Sequence, residues 1–439
     1  MRTWVLAWTS VVLCGLLAAC SSSAPAPTDG PARDRGPGVE RGAGDGPSTG
    51  PDGRTPDAKV AVPDLPAVPT HWVAVPGAVQ PQVESHAVAL LKNGDVIIAG
   101  GYRIKPAGSS WETVLVADTY RYIAANAASN AFEAAGSLQI ARAGATATRL
   151  AGSAGDKVLV GGGESDAETG EPAADLYDPS KPAGGAWTKA APLPGGRVGH
   201  AAALLGDGRV LVSGGCYYNK SLDSFVAYDP TKDSWSTLAS TMKSQRCYHT
   251  MTPLSNGKLL IAGGFWWDSS VSPKAQRWLD SLEIFDPVTG TVTAVAAKLS
   301  NAASSHTATL LADGRVMILG GWCNSNCKPW LSKGDIYDPA TDKITSLALY
   351  GDNTPFHHSA VLMADGRLLI AGDTDYPERT LAFSTSGGGS WALLSNLTSP
   401  RQSGEAVRLL DGTILLVGGR AAAAPGGIPT HPAGERFVP

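Results

Sequence analysis

Five of the eight histidines stand at one recurring place. His86, His200, His249, His306 and His358 each precede a glycine by 14 residues. A ring of imidazoles about an axis would suggest a metal centre. Repetition argues for packing instead, because a residue that recurs in every unit usually makes the same contact in every unit. No metal ligand and no catalytic residue is therefore assigned, and no cofactor is expected. His357 and His358 could coordinate together, but neighbours on a strand point to opposite faces. Four cysteines, Cys216, Cys247, Cys323 and Cys327, could pair as disulfides or hold zinc. Of twelve tryptophans, Trp266, Trp267, Trp322 and Trp330 cluster within one stretch of chain. Flat indoles suit sugar rings, and Trp is enriched at binding hot spots. The chain carries no Gly-rich phosphate loop, no Gly-x-Ser-x-Gly and no His-Glu-x-x-His.

The elements that position these residues repeat seven times. Each unit reads as an apolar run, a tight turn and a second apolar run ending in a glycine doublet. The doublets begin at Gly100, Gly162, Gly214, Gly263, Gly320, Gly372 (where Asp373 replaces the second glycine) and Gly418. Asn-Gly or Asp-Gly lies between the runs in six of the seven units, which suits a two-residue hairpin with positive φ. A third strand often ends in aromatic-Asp-Pro, as at Tyr177-Asp178-Pro179 and Phe285-Asp286-Pro287. A fourth opens with Trp187, Trp235 or Trp391. The unit is a four-stranded antiparallel sheet, and seven of them predict an all-β propeller. The seventh unit stops at its third strand, so the segment His71–Val75 is expected to complete it and close the ring. Trp72, Trp187, Trp235 and Trp391 should pack between units.

A period near 50 residues with terminal Gly-Gly resembles the kelch repeat, over residues 70–439. The fold it implies is a seven-bladed kelch propeller. Cys247-Tyr248-His249 resembles the Tyr-His pair that supplies copper ligands in galactose oxidase. The aligned places elsewhere hold Ser85, Gly199, Ser305, His357 and Ser403, so the family's second tyrosine is missing. Ser384–Trp391 resembles the Asp box of sialidases, with Ser386 in place of Asp, and reads as turn chemistry.

Val5–Leu17 is an apolar run with Arg2 before it, and Leu17-Ala18-Ala19-Cys20 looks like a bacterial lipobox. The resemblance implies a signal peptide over residues 1–19, acylation of Cys20 and anchoring to a lipid bilayer. Ser21 after the cysteine favours the outer membrane of a Gram-negative cell. Residues 20–69 read as a disordered Pro/Gly-rich tether, since they hold no aromatic residue to build a core. The export context permits disulfides 216–247 and 323–327.

Charged residues make up 17% of the chain and the net charge is −4. That excludes a broad basic surface for nucleic acid. The function expected is a monomeric binding module whose partner is a glycan first and a protein second. The alternative is an exported enzyme on the same scaffold, a copper oxidase or a sugar-modifying enzyme. The ligand face is expected where the second-to-third strand loops emerge, with Trp266, Trp267, Trp322 and Trp330 as one patch.

Overall fold

A computed structural model describes residues 71–77, 80–107, 110–129, 131–151, 155–166, 170–182, 185–272, 274–323, 333–350, 355–386, 389–421 and 434–439. The segments expected to be a signal peptide and a tether, with Cys20, and also Cys327 and Trp330, lie outside them.

Seven four-stranded antiparallel sheets form the blades of a propeller. The first strands are Ala87–Leu90, Thr146–Arg149, Ala201–Leu204, Thr250–Pro253, Thr307–Leu310, Ser359–Leu362 and Glu405–Arg408. Each touches the next and the last touches the first, which closes a ring about the axis. The second strands, such as Leu259–Ala262 and Ile414–Val417, are buried along their whole length. Blades pack on both faces of such a strand, so its sequence is continuously apolar rather than alternating. Between each pair of adjacent blades lies one apolar cluster, seven in all.

Blade seven is closed as expected. His71–Ala74 pairs antiparallel with Glu435–Val438, with Trp72 opposite Phe437. The four outer-strand indoles bridge blades: Trp72 Nε1 donates to Thr380 Oγ1, Trp187 to Ala135 O, Trp235 to Ala191 O and Trp391 to Ala348 O, at 2.8–3.0 Å.

The inner hairpins differ from expectation. The loop is three residues, Lys92-Asn93-Gly94 in blade one, closed by Leu91 N to Asp95 O at 2.8 Å. Only the glycine has positive φ, +93° at Gly94. The Asn or Asp is there for its side chain, which accepts the amide two residues on: Asn93 from Asp95, Asp207 from Arg209, Asp313 from Arg315.

The recurring histidines are struts between blades. His200 Nε2 hydrogen-bonds with Thr146 Oγ1 of the preceding blade at 2.9 Å, His249 with Ser213 Oγ at 2.8 Å, His306 with Thr250 Oγ1 at 3.0 Å and His358 with Thr307 Oγ1 at 2.9 Å. Each imidazole lies over the first glycine of the neighbour's doublet. A Cβ on Gly263 would stand 2.6 Å from His306 Cε1, so histidine and glycine recur because they pack on one another.

A second strut is a buried arginine three residues before the histidine place. Arg142 meets Asp175, Arg246 meets Glu283 and Arg401 meets Glu435, each at 2.6 Å and all within the blade.

Candidate site at the channel mouth

Three residues per blade frame the end of the axis where the first strands begin. One lies two before the histidine place, one lies directly before it, and one follows the doublet. The first and third pair as isolated bridges: Glu84 with Tyr102, Ala143 with Glu164, Val198 with Cys216, Cys247 with Phe265, Ser304 with Trp322 and Gln402 with Arg420. In blade six Thr374 N donates to Phe356 O at 3.0 Å instead.

The middle residue is left-handed in all seven blades. Ser85, Gly144, Gly199, Tyr248, Ser305, His357 and Ser403 have φ between 53° and 63°. Their backbones link around the mouth: Gly144 N to Ser85 O, Tyr248 N to Gly199 O, Ser305 N to Tyr248 O and Ser403 N to His357 O, at 2.6–2.9 Å. Five of the seven are glycine or serine. Tyr248 and His357 are the two large residues held in this costly conformation. Tyr248 lies across Gly199, where a Cβ would stand 2.7 Å from its ring.

Blades four and five build an aromatic arc, with Cys216 of blade three packed against it. Tyr248 stacks on Phe265 at 5.7 Å, Phe265 meets Trp267 at 6.0 Å and Trp278 at 6.1 Å, and Trp278 meets Trp322 edge-on at 5.2 Å. Phe265–Asp268 and Ala275–Trp278 form a hairpin above the blade. Beneath it a disulfide joins Cys216 of blade three to Cys247 of blade four, with Cα atoms 5.5 Å apart. Ser221 Oγ accepts from Trp267 N at 3.0 Å beside that disulfide. Cys323 is also disulfide-bonded.

The four tryptophans expected to form one patch are placed differently from one another. Trp267 and Trp322 belong to the same aromatic train, joined through Phe265 and Trp278. Trp266 alternates to the other face of the hairpin, opposite Arg277. Trp330 lies outside the described residues.

Blades six, seven, one and two build a polar arc. Thr374 Oγ1 donates to Gln402 Oε1 at 2.7 Å and lies 3.4 Å from His357 Nδ1. Arg420 approaches Glu84 at 3.6 Å, and Tyr102 OH donates to Glu164 Oε2 at 2.9 Å. Burial holds His357 down at about 4, with Arg420 adding to the effect, so its ring is neutral at pH 7. Burial raises the Glu84 carboxyl, against the pull of Arg420. Burial and then Glu164 raise the Tyr102 phenol, and the same two causes raise Tyr248. The arc therefore offers neutral donors and acceptors beside two carboxyl groups.

A family model described as the KLHDC2/KLHL20/DRC7 Kelch-repeats domain matches residues 85–321 and 144–373. The chain belongs to the Kelch-repeat family. No curated protein matches it significantly. Among solved structures, this Kelch chain is similar to a fungal alcohol oxidase of the AA5 family in complex with copper. That match has 17% identity, a TM-score of 0.60, and covers 84% of this chain and 76% of that one. YjhT is matched at 18% identity over 66% of this chain and 94% of that one, with a TM-score of 0.47, too loose a likeness to argue from. At these identities the likeness concerns the fold, which serves binding modules and galactose oxidase-type enzymes alike.

Copper, which belongs only to the alternative reading of the Tyr248-His249 resemblance, does not fit these residues. His249 Nε2 is engaged by Ser213 and its ring is seated between blades like its four counterparts. The six places equivalent to Tyr248 hold no second tyrosine. Among the described residues no three His, Cys, Asp or Glu side chains gather as a metal site.

The polar arc was missed by the sequence reading. Its signal was present: Tyr102, Glu164, Thr374 and Arg420 all follow a doublet, as Cys216, Phe265 and Trp322 do.

Proposed function

We propose that the channel mouth is the binding site of an exported, lipid-anchored module, and that its ligand is a glycan. The observation that carries the reading is the division of one mouth into an aromatic arc and a polar arc. Sugar rings present an apolar C–H face and a rim of hydroxyls. The face suits Trp267 and Trp322, and the hydroxyls suit Gln402, Thr374, Tyr102 and the carboxylates. Sites of this kind combine apolar walls with a few placed polar groups. The anchoring half of the proposal rests on the lipobox-like Leu17–Cys20 and on the Pro/Gly-rich tether.

A glycan array probed with the protein should give a ligand. Trp267→Ala and Trp322→Ala should each weaken it by roughly tenfold or more, while Trp266→Ala, on the opposite face, should leave affinity within about twofold. Equal losses for Trp266 and Trp267, or no glycan bound, would overturn the assignment. Labelling with a fatty-acid precursor should mark the protein and fail for Cys20→Ser.

A further inference from the structure

The arginine–carboxylate strut is not complete in every blade. Blades two, four and seven have both partners. The arginine place holds Val83 in blade one and Pro355 in blade six, and the acid place there holds Tyr120 and Leu381. Blade three has Arg197 with Val226 where the acid would stand. Blade five has the reverse, Ala303 in the arginine place with Asp335 kept. The sheet register confirms the equivalence: Asp175, Glu283, Glu435 and Asp335 lie opposite Val160, Ile261, Leu416 and Ile318, each two before its doublet.

The vacated place in blade five is a recess. It is lined by Leu299, Ala303, His306, Gly320 and Asp335, with Asn301 and the exposed Lys333 at its rim. Asp335 is 4% exposed. Its Oδ2 accepts Ser300 N at 2.8 Å and Ser300 Oγ at 2.9 Å, and its Oδ1 accepts Ser346 Oγ at 2.7 Å. A carboxylate has about four lone-pair sites, so Oδ1 retains capacity. Among the described residues Asp335 has no ion-pair partner, and no hydrogen bond reaches the Gly320 carbonyl.

The complete blades show what fits. In blade four Arg246 Nη2 donates to Glu283 Oε1 at 2.6 Å, and Nη1 donates to the doublet carbonyl of Gly263 at 2.8 Å. In blade seven Arg401 does the same to Glu435 at 2.6 Å and to Gly418 at 3.2 Å. Blade five keeps both acceptors, a carboxylate and a doublet carbonyl, and lacks the fork; the recess as it stands has room for about one water, so an occupant must widen it on entering. We propose that this recess binds an alkylguanidinium from outside the blade: an arginine side chain of a partner, or a free guanidino compound. A planar fork matches two acceptors at once, whereas an ammonium is a point charge. Burial of the carboxylate without a cation makes a charged donor the favourable occupant.

The test is a titration of the protein with N-acetyl-arginine methylamide, its isosteric but uncharged citrulline counterpart and its lysine counterpart, followed by ligand-observed NMR. The arginine compound should saturate and bind at least tenfold tighter than either of the others. Asp335→Asn, checked for fold by circular dichroism, should abolish that binding. Ala303→Arg should also abolish it while raising the melting temperature, because the chain then fills its own recess. Equal binding of arginine and citrulline, which needs no variant, would overturn the proposal. So would unchanged binding by either variant. Methylguanidinium forms a second arm. Affinity equal to the arginine compound supports a free guanidine as the source, and weaker affinity supports an arginine in a peptide chain.

Discussion

The two arcs of the channel mouth are built on one backbone and differ in how they are held. Blades four and five carry rings packed on rings, with a disulfide to blade three beneath them. Blades six, seven, one and two carry a chain of polar contacts between side chains of different blades: hydrogen bonds from Thr374 to Gln402 and from Tyr102 to Glu164, and an ion pair between Arg420 and Glu84. The repeat supplies the same three places to both arcs, and the residue at each place decides the chemistry. Tyr248 and His357 show this most directly. They occupy the same left-handed place two blades apart. One joins the aromatic stack, and the other lies against the Thr374–Gln402 pair. An aromatic arc is expected to couple binding to stability, because its rings are also packing. A polar arc is expected to affect binding with little change in stability.

The largest expected effect tests whether the arcs share a common foundation. Burial holds His200 and His358 at about 3 and His306 and His357 at about 4, and His249 well below its ordinary value. An unfolded histidine titrates near ~6.5. The unfolded chain therefore binds more protons below that pH, and stability present above about pH 6.5 is lost as pH falls toward 4. Each fully shifted group contributes up to roughly 1.4 kcal/mol per pH unit. Glu405, exposed to the channel yet walled in by protein, is pushed up to about 7 and works in the opposite sense, as do Glu84 and Asp373. Five histidines should outweigh them. Urea midpoints measured from pH 7 to pH 4 should fall steeply. His357→Gln should lessen the slope without loosening any blade seam. A flat profile would mean that the imidazoles charge without cost and are not buried struts.

The next effect separates the arcs. Cys216→Ala with Cys247→Ala opens a bridge between residues 31 apart in sequence and should cost about 3–4 kcal/mol in chemical denaturation. Phe265 is buried at the hub of the train, and Phe265→Ala should cost a similar ~3–5 kcal/mol. Both should weaken glycan binding. If stability falls while affinity holds, the aromatic arc is scaffold alone and the comparison fails on that side.

The fold was legible because its signals are periodic. Seven doublets, the Asp-Pro ends and the outer-strand tryptophans each recur, and a blade missing its fourth strand pointed to His71–Val75, of which His71–Ala74 forms the strand. The turn type was not legible in the same way, since Asn-Gly serves both a two-residue loop and the three-residue loop found here. What decides is the flanking register, in which Leu91 pairs with Asp95. The site was half legible. Counting tryptophans picked out Trp267 and Trp322, which one aromatic train joins, but could not tell Trp266 from Trp267, because the strand's phase was set by the pairing of Phe265 with Trp278. The polar arc has no single residue type to count. Its members are Thr, Gln, Arg, Glu, Tyr and His, and they become a group only when the repeats are aligned at the doublet.

The smallest expected effect probes the polar arc alone. Thr374→Val keeps the shape of the side chain and removes its hydroxyl. That hydroxyl donates to Gln402 Oε1 at 2.7 Å and approaches Phe356 O at 3.1 Å. Losing it should cost about 1 kcal/mol, the usual net worth of such a bond. The backbone contact from Thr374 N to Phe356 O remains, so blade six keeps its frame. The aromatic arc shares no contact with this hydroxyl, and near-ultraviolet circular dichroism, which reports the packed rings, should not change. Glycan affinity should nonetheless fall by roughly fivefold to tenfold, the effect of ~1–1.4 kcal/mol on an equilibrium, because Gln402 would lose one of the two side chains that orient its amide, His357 being the other. A change in the ring signal would show that the two arcs are coupled. Unchanged affinity would show that the glycan rests on the aromatic arc only.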